Sequence, residues 1–245
     1  NKIINAKNPL IIMGQSALKI NSSKYIFEEL KKFLKKNNKI NNEWNSLNII
    51  SNNASTVGSY DLDIISSNKG KNITLERIKK NDYEILFLFG QDNLKFNKQN
   101  EFIIYLGSHG DKGAESADVI LPTAAYTEQD GYYTNLEGRI QKAYQASYPL
   151  GEAKEDWVVI NELANLIKRK KLYNNKKDLV DAMFNYLKKN NKNKDTNSTE
   201  SIFINEKILV DEIDYYYSNV ISRSSRTMTE CRNEKNKIIK TGIEG

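Results

Sequence analysis

Residues 102–122 have the sequence FIIYLGSHGDKGAESADVILP, in which two short apolar runs flank a glycine-rich loop. The runs, Phe102–Leu106 and Asp118–Leu121, each have the length of one strand, and the second stops at Pro122. Their apolar residues are continuous rather than alternating, which is typical of strands buried on both faces, as in a parallel sheet. The stretch therefore predicts two buried strands joined by a shaped turn.

Further strands and helices are predicted upstream of this stretch. Strand-like apolar runs occur at Leu10–Met13, Leu47–Ile50 and Ile85–Phe89. Asn21–Lys36 predicts a helix, capped by Asn21 or Ser22, whose apolar face is formed by Ile26, Phe27, Leu30, Phe33 and Leu34. Thr74–Lys80 predicts a short helix before the third run. The strand–helix–strand order indicates an α/β fold: three layers, with a mostly parallel sheet flanked by helices.

Downstream, two more amphipathic helices are predicted from the apolar sets Trp157, Ile160, Leu163, Ala164, Ile167 and Leu179, Val180, Met183, Phe184, Leu187. Residues 190–201 are polar and low in complexity, which predicts a flexible linker. Residues 202–245 have too few apolar residues for a separate core, and the aromatic cluster Tyr215–Tyr217 indicates docking. We therefore expect an α/β domain at 1–189, a linker at 190–201 and an extended docking tail at 202–245.

Composition excludes several classes of function. The chain has 245 residues, a net charge of +6, one cysteine and one histidine. A single cysteine, Cys231, excludes an intramolecular disulfide, and it cannot supply the four thiolates of a Cys₄ iron–sulfur or zinc site. The positive charge is spread over Lys/Asn-rich stretches without an Arg-dense stripe, so no nucleic-acid interface is predicted. No apolar run approaches the roughly 20 residues needed to cross a bilayer.

The loop Gly107–Gly113 is the first candidate for chemistry. Its glycines could let backbone N–H groups approach a phosphate, but its spacing matches neither the dinucleotide-binding motif nor a Walker A motif. The favoured interpretation is a tight connecting turn. His109 lacks a recognisable nucleophile motif around it, so we expect a turn histidine that bonds to local backbone. Cys231 is expected to be a small apolar contact rather than a nucleophile.

The second candidate is Asn135–Arg139, with the sequence NLEGR. Arg139 could clamp an anion such as a pyrophosphate. Alternatively, Glu137 and Arg139 join a partly buried network that fixes the turn. The residue chemistry alone favours the structural interpretation, because structural ion pairs imitate functional ones.

Several segments together carry a family resemblance. They are Pro9–Leu18, Leu86–Gly90, Ile103–Tyr105, His109–Asp111, Gly113–Ala114, Ser116–Pro122, Ala124–Glu128, Thr134–Arg139, Gln141, Glu155–Trp157, Ile221–Met228 and Cys231. The central combination resembles the molybdopterin-oxidoreductase superfamily. Within that superfamily, it resembles the C-terminal part of the large iron–sulfur subunit of mitochondrial respiratory complex I.

The resemblance implies a structural role in the matrix arm of complex I, at the inner mitochondrial membrane. It implies that the iron–sulfur clusters lie in a cluster-bearing N-terminal half, upstream or on a separate chain. It further implies contacts with that half and with other matrix-arm subunits, without nucleic acid and without membrane insertion. The region resembles a pterin domain that binds no pterin in complex I, so pterin-binding roles are not transferred to Asn135, Glu137 or Arg139.

We therefore expect no catalytic, cofactor-binding or metal-binding residue in this chain. The alternative is the catalytic pterin domain of a formate-dehydrogenase-like oxidoreductase. A bound pterin dinucleotide would favour that alternative, whereas the mitochondrial type of C-terminal segment favours complex I.

Overall fold

The computed structural model describes residues 2–64, 77–78, 80–91, 97–110, 112–190, 201–208 and 214–240. Contacts between Cα atoms divide the chain into two units. The first unit consists of Asn1–Ile64, Tyr132–Gln141 and Met183–Glu212, and the second of Ile65–Gly131, Lys142–Ala182 and Ile213–Gly245. Most of the predicted linker 190–201 and most of the predicted helix Thr74–Lys80 lie outside the described residues.

The first unit begins as a strand–helix–strand arrangement. Its elements are α1 (Lys2–Asn5), β1 (Ile11–Gly14), α2 (Gln15–Leu18), α3 (Ser23–Lys36), β2 (Leu47–Ile50) and α4 (Thr56–Asp61). Strands β1 and β2 pair in parallel, with Ile11 opposite Leu47. Met13, Leu34 and Leu47 form the buried core, and Ile26, Phe27 and Leu30 of α3 pack against it. Phe33 was expected on the same face but is exposed, because it lies at the margin of the apolar stripe.

The start of α3 differs from the prediction. The Ser22 side chain makes no capping bond to the helix. Its hydroxyl instead donates to the carbonyl oxygen of Ile204 and accepts from the Ile204 N–H, both at 2.7 Å. Glu206 accepts from the Ser22 N–H at 3.0 Å and from Asn21 Nδ2 at 3.1 Å. The predicted side-chain cap is therefore wrong, and these residues attach segment 201–208 to the first unit.

The second unit contains a three-stranded parallel sheet. Its first elements are β3 (Ile85–Phe89), β4 (Phe102–Gly107), α5 (Lys112–Glu115) and β5 (Val119–Pro122), with the strand order β3-β4-β5. All five predicted strands of the chain are confirmed to within one residue at each end. Burial on both faces is wrong for this sheet, however. Leu88, Ile103 and Tyr105 are buried on one face, whereas Ile85, Phe87 and Phe89 of β3 are exposed on the other. On that second face only the central strand β4 provides a buried side chain, Leu106, among the described residues.

The remaining elements include a hairpin and two long helices. They are β6 (Gly131–Thr134), β7 (Ile140–Ala143), α6 (Asp156–Lys168) and α7 (Lys176–Asn190). Both predicted helices are confirmed. Buried Asn161 of α6 holds the following loop: its Oδ1 accepts from the N–H groups of Leu172 and Tyr173 at 2.8 and 3.0 Å, and its Nδ2 donates to the Tyr173 carbonyl at 2.8 Å.

The C-terminal segment forms a small helical cluster, so the expected extended conformation of the tail is wrong for residues 215–240. It contains a 3₁₀ helix (Tyr215–Tyr217), α8 (Val220–Ser224) and α9 (Arg226–Lys240), which pack on one another. Arg232 Nε donates to Asp214 at 2.5 Å, and its guanidinium lies 4.5 Å from the centre of the Tyr217 ring. Within the described ranges, no helix is both long and apolar enough to cross a membrane. The α/β fold with parallel strands flanked by helices is confirmed.

Candidate functional site

Two glycines of the loop Gly107–Gly113 lie so close to neighbouring groups that a side chain would not fit. A Cβ atom at Gly107 would overlap the ring and hydroxyl of Tyr105, and one at Gly113 would overlap the carbonyl oxygen of Gln91. The Tyr105 hydroxyl donates to the His109 carbonyl at 2.8 Å. The loop is therefore closed around a buried tyrosine, which explains Gly107 and Gly113 without a phosphate ligand.

His109 and Cys231 show no catalytic arrangement within the described parts of the chain. The His109 ring is bonded to the neighbouring Ser108 hydroxyl at 2.9 Å, and Ser108 is exposed. Asp111, beside them in sequence, lies outside the described residues. Cys231 is exposed, so its expected role as a buried apolar contact is wrong. Among the described residues, no group of three or more His, Cys, Asp or Glu side chains could hold a metal ion.

The turn Asn135–Arg139 is fixed by its asparagine. Asn135 Oδ1 accepts from the N–H groups of Glu137 and Arg139 at 3.0 and 2.9 Å, and Gly138 supplies the left-handed conformation with φ +81°. The side chains of Glu137 and Arg139 are exposed. The expected partly buried network of these two charges is therefore wrong, because an amide oxygen inside the turn closes it instead.

Asp118, between α5 and β5, ties two strands together. Its Oδ2 accepts from the Ile103 N–H at 2.8 Å, its own N–H donates to the Ile103 carbonyl at 2.8 Å, and Lys98 Nζ contacts Oδ1. The hydrogen bond from Ile103 and then the Lys98 ammonium lower the pKa of the Asp118 carboxyl below its usual value. This carboxylate therefore joins β4 to the start of β5.

Other carboxylates near the same segment also bond within the second unit. Glu128 accepts from the Ala125 N–H at 2.9 Å, and Asp130 accepts from the Gln145 N–H and from Lys142 Nζ, both at 2.8 Å. Lys142, followed by the Gln145 N–H, lowers the pKa of Asp130. Sequence analysis did not single out these acids, and the only signal for them was their position within or beside the family segments.

The carboxylate of Glu155, just before α6, also bonds to other groups of this chain. Its Oε2 accepts from Trp157 Nε1 at 2.9 Å and from Lys176 Nζ at 2.5 Å, which connects the start of α6 to the start of α7. The polar groups of the family segments thus bond to backbone, to lysines and to a tryptophan of this chain. Thr134, Asn135 and Gln141 of these segments also line a cavity of about 270 Å³ in the first unit, whose lining contains no carboxylate, imidazole, thiol or guanidinium.

The first unit contains an open groove of about 680 Å³. It is lined by Gln15, Leu18, Lys19, Phe27, Lys31, Ile40, Asn45, Leu47, Asn48, Ile49, Ser51, Thr56, Val57, Tyr60 and Leu136. None of these lining residues carries a carboxylate, imidazole, thiol or guanidinium. The lining offers apolar contact, amide and hydroxyl hydrogen bonds, and the ammonium groups of Lys19 and Lys31. It contains no carboxylate for the N–H edge of a pterin and no guanidinium fork for bidentate binding of a pyrophosphate.

Polar groups at the end of this groove, from side chains and from the backbone, bond to one another. The Asn52 N–H donates to Gln15 Oε1 at 2.8 Å, and the Ser51 hydroxyl donates to Thr56 Oγ1 at 2.8 Å. These residues follow the carboxyl ends of β1 and β2, where open α/β sheets place ligands. Their bonds to one another stabilise the loop between β2 and α4.

Comparison with known proteins identifies the family of this chain. The sequence model of the family described as molybdopterin oxidoreductase matches residues 1–166. An NADH-quinone oxidoreductase subunit of Rickettsia bellii is 37% identical over 97% of this chain and 35% of the relative. The NADH-ubiquinone oxidoreductase 75 kDa subunit of Reclinomonas americana is 36% identical over 94% of this chain and 35% of the relative.

A third relative extends the similarity to a fungal protein. The mitochondrial NADH-ubiquinone oxidoreductase 78 kDa subunit of Candida albicans is 34% identical over 94% of this chain and 34% of the relative. The chain spans about a third of the length of these relatives and corresponds to their C-terminal part. The resemblance derived from the sequence is confirmed, and the chain belongs to the molybdopterin oxidoreductase family.

Proposed function

We propose that this chain is a structural part of the large iron–sulfur subunit of respiratory complex I, NADH:ubiquinone oxidoreductase, and that it supports electron transfer without a redox centre of its own. The observation that carries the proposal is the similarity to NADH-quinone and NADH-ubiquinone oxidoreductase subunits over 94–97% of the chain. Nothing favours the formate-dehydrogenase alternative. The iron–sulfur clusters belong, on this proposal, to an N-terminal half that is upstream or on a separate chain.

The chemistry of the described residues supports a structural role. Asp118, Glu128 and Glu155 direct their carboxylates to groups of this chain, and the turn at Asn135 is closed by its own side chain. A catalytic site requires such groups to face a substrate in a water-excluding cavity. These acids instead stabilise the fold by bonding to donors of this chain. A stable fold without a substrate site is compatible with a structural role beside a redox chain.

The proposal extends to location and partners. The chain lies in the matrix arm at the inner mitochondrial membrane, in contact with the cluster-bearing half and with other matrix-arm subunits. Residues 190–201 are a linker, and residues 202–245 are a docking tail that strengthens incorporation into the complex. The contacts of Ile204 and Glu206 with the start of α3 support attachment of part of this tail to the first unit.

A tagged copy of the chain, expressed in its source organism, tests the proposal directly. We expect the tag to migrate on a native gel with a large complex that oxidises NADH, and mass spectrometry of that band to identify a polypeptide with cysteine-rich cluster motifs. Migration with a pterin-containing complex that oxidises formate would overturn the assignment. Migration without any redox polypeptide would overturn it as well.

The isolated chain provides an independent check. One cysteine and one histidine cannot hold a normal protein-ligated cluster. After anaerobic reconstitution with iron and sulfide, we therefore expect no stoichiometric iron and no cluster absorbance. Stoichiometric incorporation by this chain alone would contradict the proposal.

A further inference from the structure

The groove of the first unit runs along an open strand edge. Leu47, Asn48 and Ile49 are consecutive residues of β2, and all three line it. Successive side chains of a strand point to opposite faces of the sheet. A cavity that touches three in a row therefore runs along the edge of the strand rather than over one face.

The hydrogen bonding of β2 shows which of its peptide groups face that edge. The Ile11 N–H donates to the Ser46 carbonyl at 2.8 Å, with Ile11 opposite Leu47 in the parallel register. In this pattern, alternate residues of a strand direct their peptide groups to one neighbour. Ser46, Asn48 and Ile50 therefore face β1, and the Leu47 carbonyl and both peptide groups of Ile49 face away from it.

No strand of the described residues pairs with this second edge of β2, because its sheet contains β1 and β2 alone. Proteins usually protect an open edge with proline, charge or a bulge. The sequence of β2 is Leu-Asn-Ile-Ile, which contains no proline and no charged residue. The edge thus keeps the features that allow another strand to pair with it.

The walls beside the edge define the chemistry of a bound segment. Phe27 of α3, Val57 of α4 and Leu136 contribute apolar surface. Lys19 and Lys31 contribute positive charge, and none of the lining residues contributes a carboxylate. Lys31 Nζ lies 5.7 Å from the centre of the Phe27 ring, so its charge is held next to the apolar wall. A segment with alternating apolar and acidic side chains complements this surface.

We propose that β2 is a strand-addition site, in which an extended segment of a partner polypeptide pairs with the edge at Leu47 and Ile49. Its apolar side chains fill the groove, and its acidic side chains lie near Lys19 and Lys31. Main-chain hydrogen bonds supply affinity in such β-augmentation, and the groove and the lysines supply selectivity. This binding goes beyond the proposed function and does not depend on NADH-linked chemistry.

The test uses the full chain and two short fluorescent peptides, one alternating valine with glutamate and one alternating valine with lysine. Ile49→Pro removes an N–H that faces the open edge while keeping the ladder to β1, and a proline is tolerated at such positions. Ile120→Pro is the matched control. The Thr123 N–H donates to the Gly107 carbonyl of β4, so alternate residues of β5 face β4 and the Ile120 N–H faces the edge that no described strand pairs with.

Fluorescence anisotropy should show that the acidic peptide binds the wild type and Ile120→Pro equally. We expect binding to Ile49→Pro to be weaker by about tenfold or more, a change of about 1.4 kcal/mol in binding free energy. The basic peptide should bind more weakly than the acidic one to every variant. Equal binding to Ile49→Pro, a preference for the basic peptide, or no binding of either peptide would overturn the proposal.

Amide hydrogen exchange in the wild-type chain keeps the proposal testable if Ile49→Pro does not fold. The acidic peptide should slow exchange at Ile49, whose N–H faces the open edge, and leave Asn48, which is bonded to β1, unchanged. A helix or a compact ligand seated in the groove would leave exchange at Ile49 unchanged. That result would contradict strand addition.

Discussion

The two units contain parallel sheets that are incomplete in different ways. In the first unit, β2 leaves an edge open beside an apolar groove. In the second unit, β4 has a strand on each side, but one face of β3 remains exposed. Right-handed connections between adjacent parallel strands fall on the same face of a sheet, so the opposite face needs a further layer. The open edge of β2 therefore offers a partner main-chain hydrogen bonds, whereas the exposed face of β3 offers apolar surface area.

The largest expected effect concerns the buried face of the second sheet. Tyr105 is 1% exposed and lies against two glycines and the His109 carbonyl. Tyr105→Ala should lower the free energy of unfolding by about 3–5 kcal/mol, because it leaves a large cavity under β4. Urea unfolding provides the measurement, with Tyr148→Ala as the control, since Tyr148 is 82% exposed. Equal effects of the two changes would show that the loop does not depend on this tyrosine.

A somewhat smaller effect is expected in the core of the first unit. Leu34 of α3 is fully buried in one core cluster with Met13 of β1 and Leu47 of β2. Leu34→Ala should cost about 2–5 kcal/mol. Amide exchange would locate the loss, which should be largest in α3, β1 and β2. Leu166→Ala is the control, because Leu166 also lies in a helix but is 78% exposed; a similar cost there would contradict the assignment of this core.

Acid should weaken the second unit through Asp118 and Asp130. Both folded-state pKa values lie below the value of about 3.9 for an unfolded aspartate. Their contribution is therefore fully present above about pH 4 and is lost as the pH falls through the lowered folded-state pKa values. The urea midpoint of the wild type should decline in that window, and the Asp118→Asn variant should decline less steeply. Identical pH profiles would exclude a contribution from Asp118.

The smallest effects are expected at the turn Asn135–Arg139. Glu137→Ala and Arg139→Ala should each change the free energy of unfolding by no more than about 0.5 kcal/mol, because both side chains are exposed. Asn135→Ala should cost about 1 kcal/mol, because it removes the acceptor that closes the turn. Thermal unfolding of the three variants would test this order. A larger cost at Glu137 or Arg139 would restore the ion-pair interpretation.

The proposed linker can be tested by limited proteolysis of the free chain. Residues 190–201 are polar and low in complexity, and such segments are preferred sites of cleavage. The first cut should fall there, before any cut in β1–β5. A first cut elsewhere would mean that this segment does not act as a linker.

Apolar patterning was sufficient to predict strands β1–β5 and the longer core helices, because burial imposes the pattern directly. It did not predict the hairpin strands β6 and β7, which have no continuous apolar run. It could not predict α9, whose residues are mostly polar and whose helix is supported by pairs such as Arg226–Glu230 at i and i+4. It also could not show that Ser22 bonds to Ile204, 182 residues away, rather than to its own helix. Long-range contacts of single polar groups leave no periodic signal in the sequence. The structural roles of the Asp118, Glu128, Asp130 and Glu155 carboxylates were not predicted for the same reason.

Asn161 has a consequence for the chemical ageing of the protein. Its amide serves as acceptor toward two N–H groups and as donor toward the Tyr173 carbonyl, so both ends of the amide are used. Hydrolysis of that amide to a carboxylate would keep the acceptor but place a negatively charged oxygen against the Tyr173 carbonyl oxygen. A single spontaneous deamidation at this buried position would therefore loosen the loop between α6 and α7, with a mass increase of about one dalton as its visible trace.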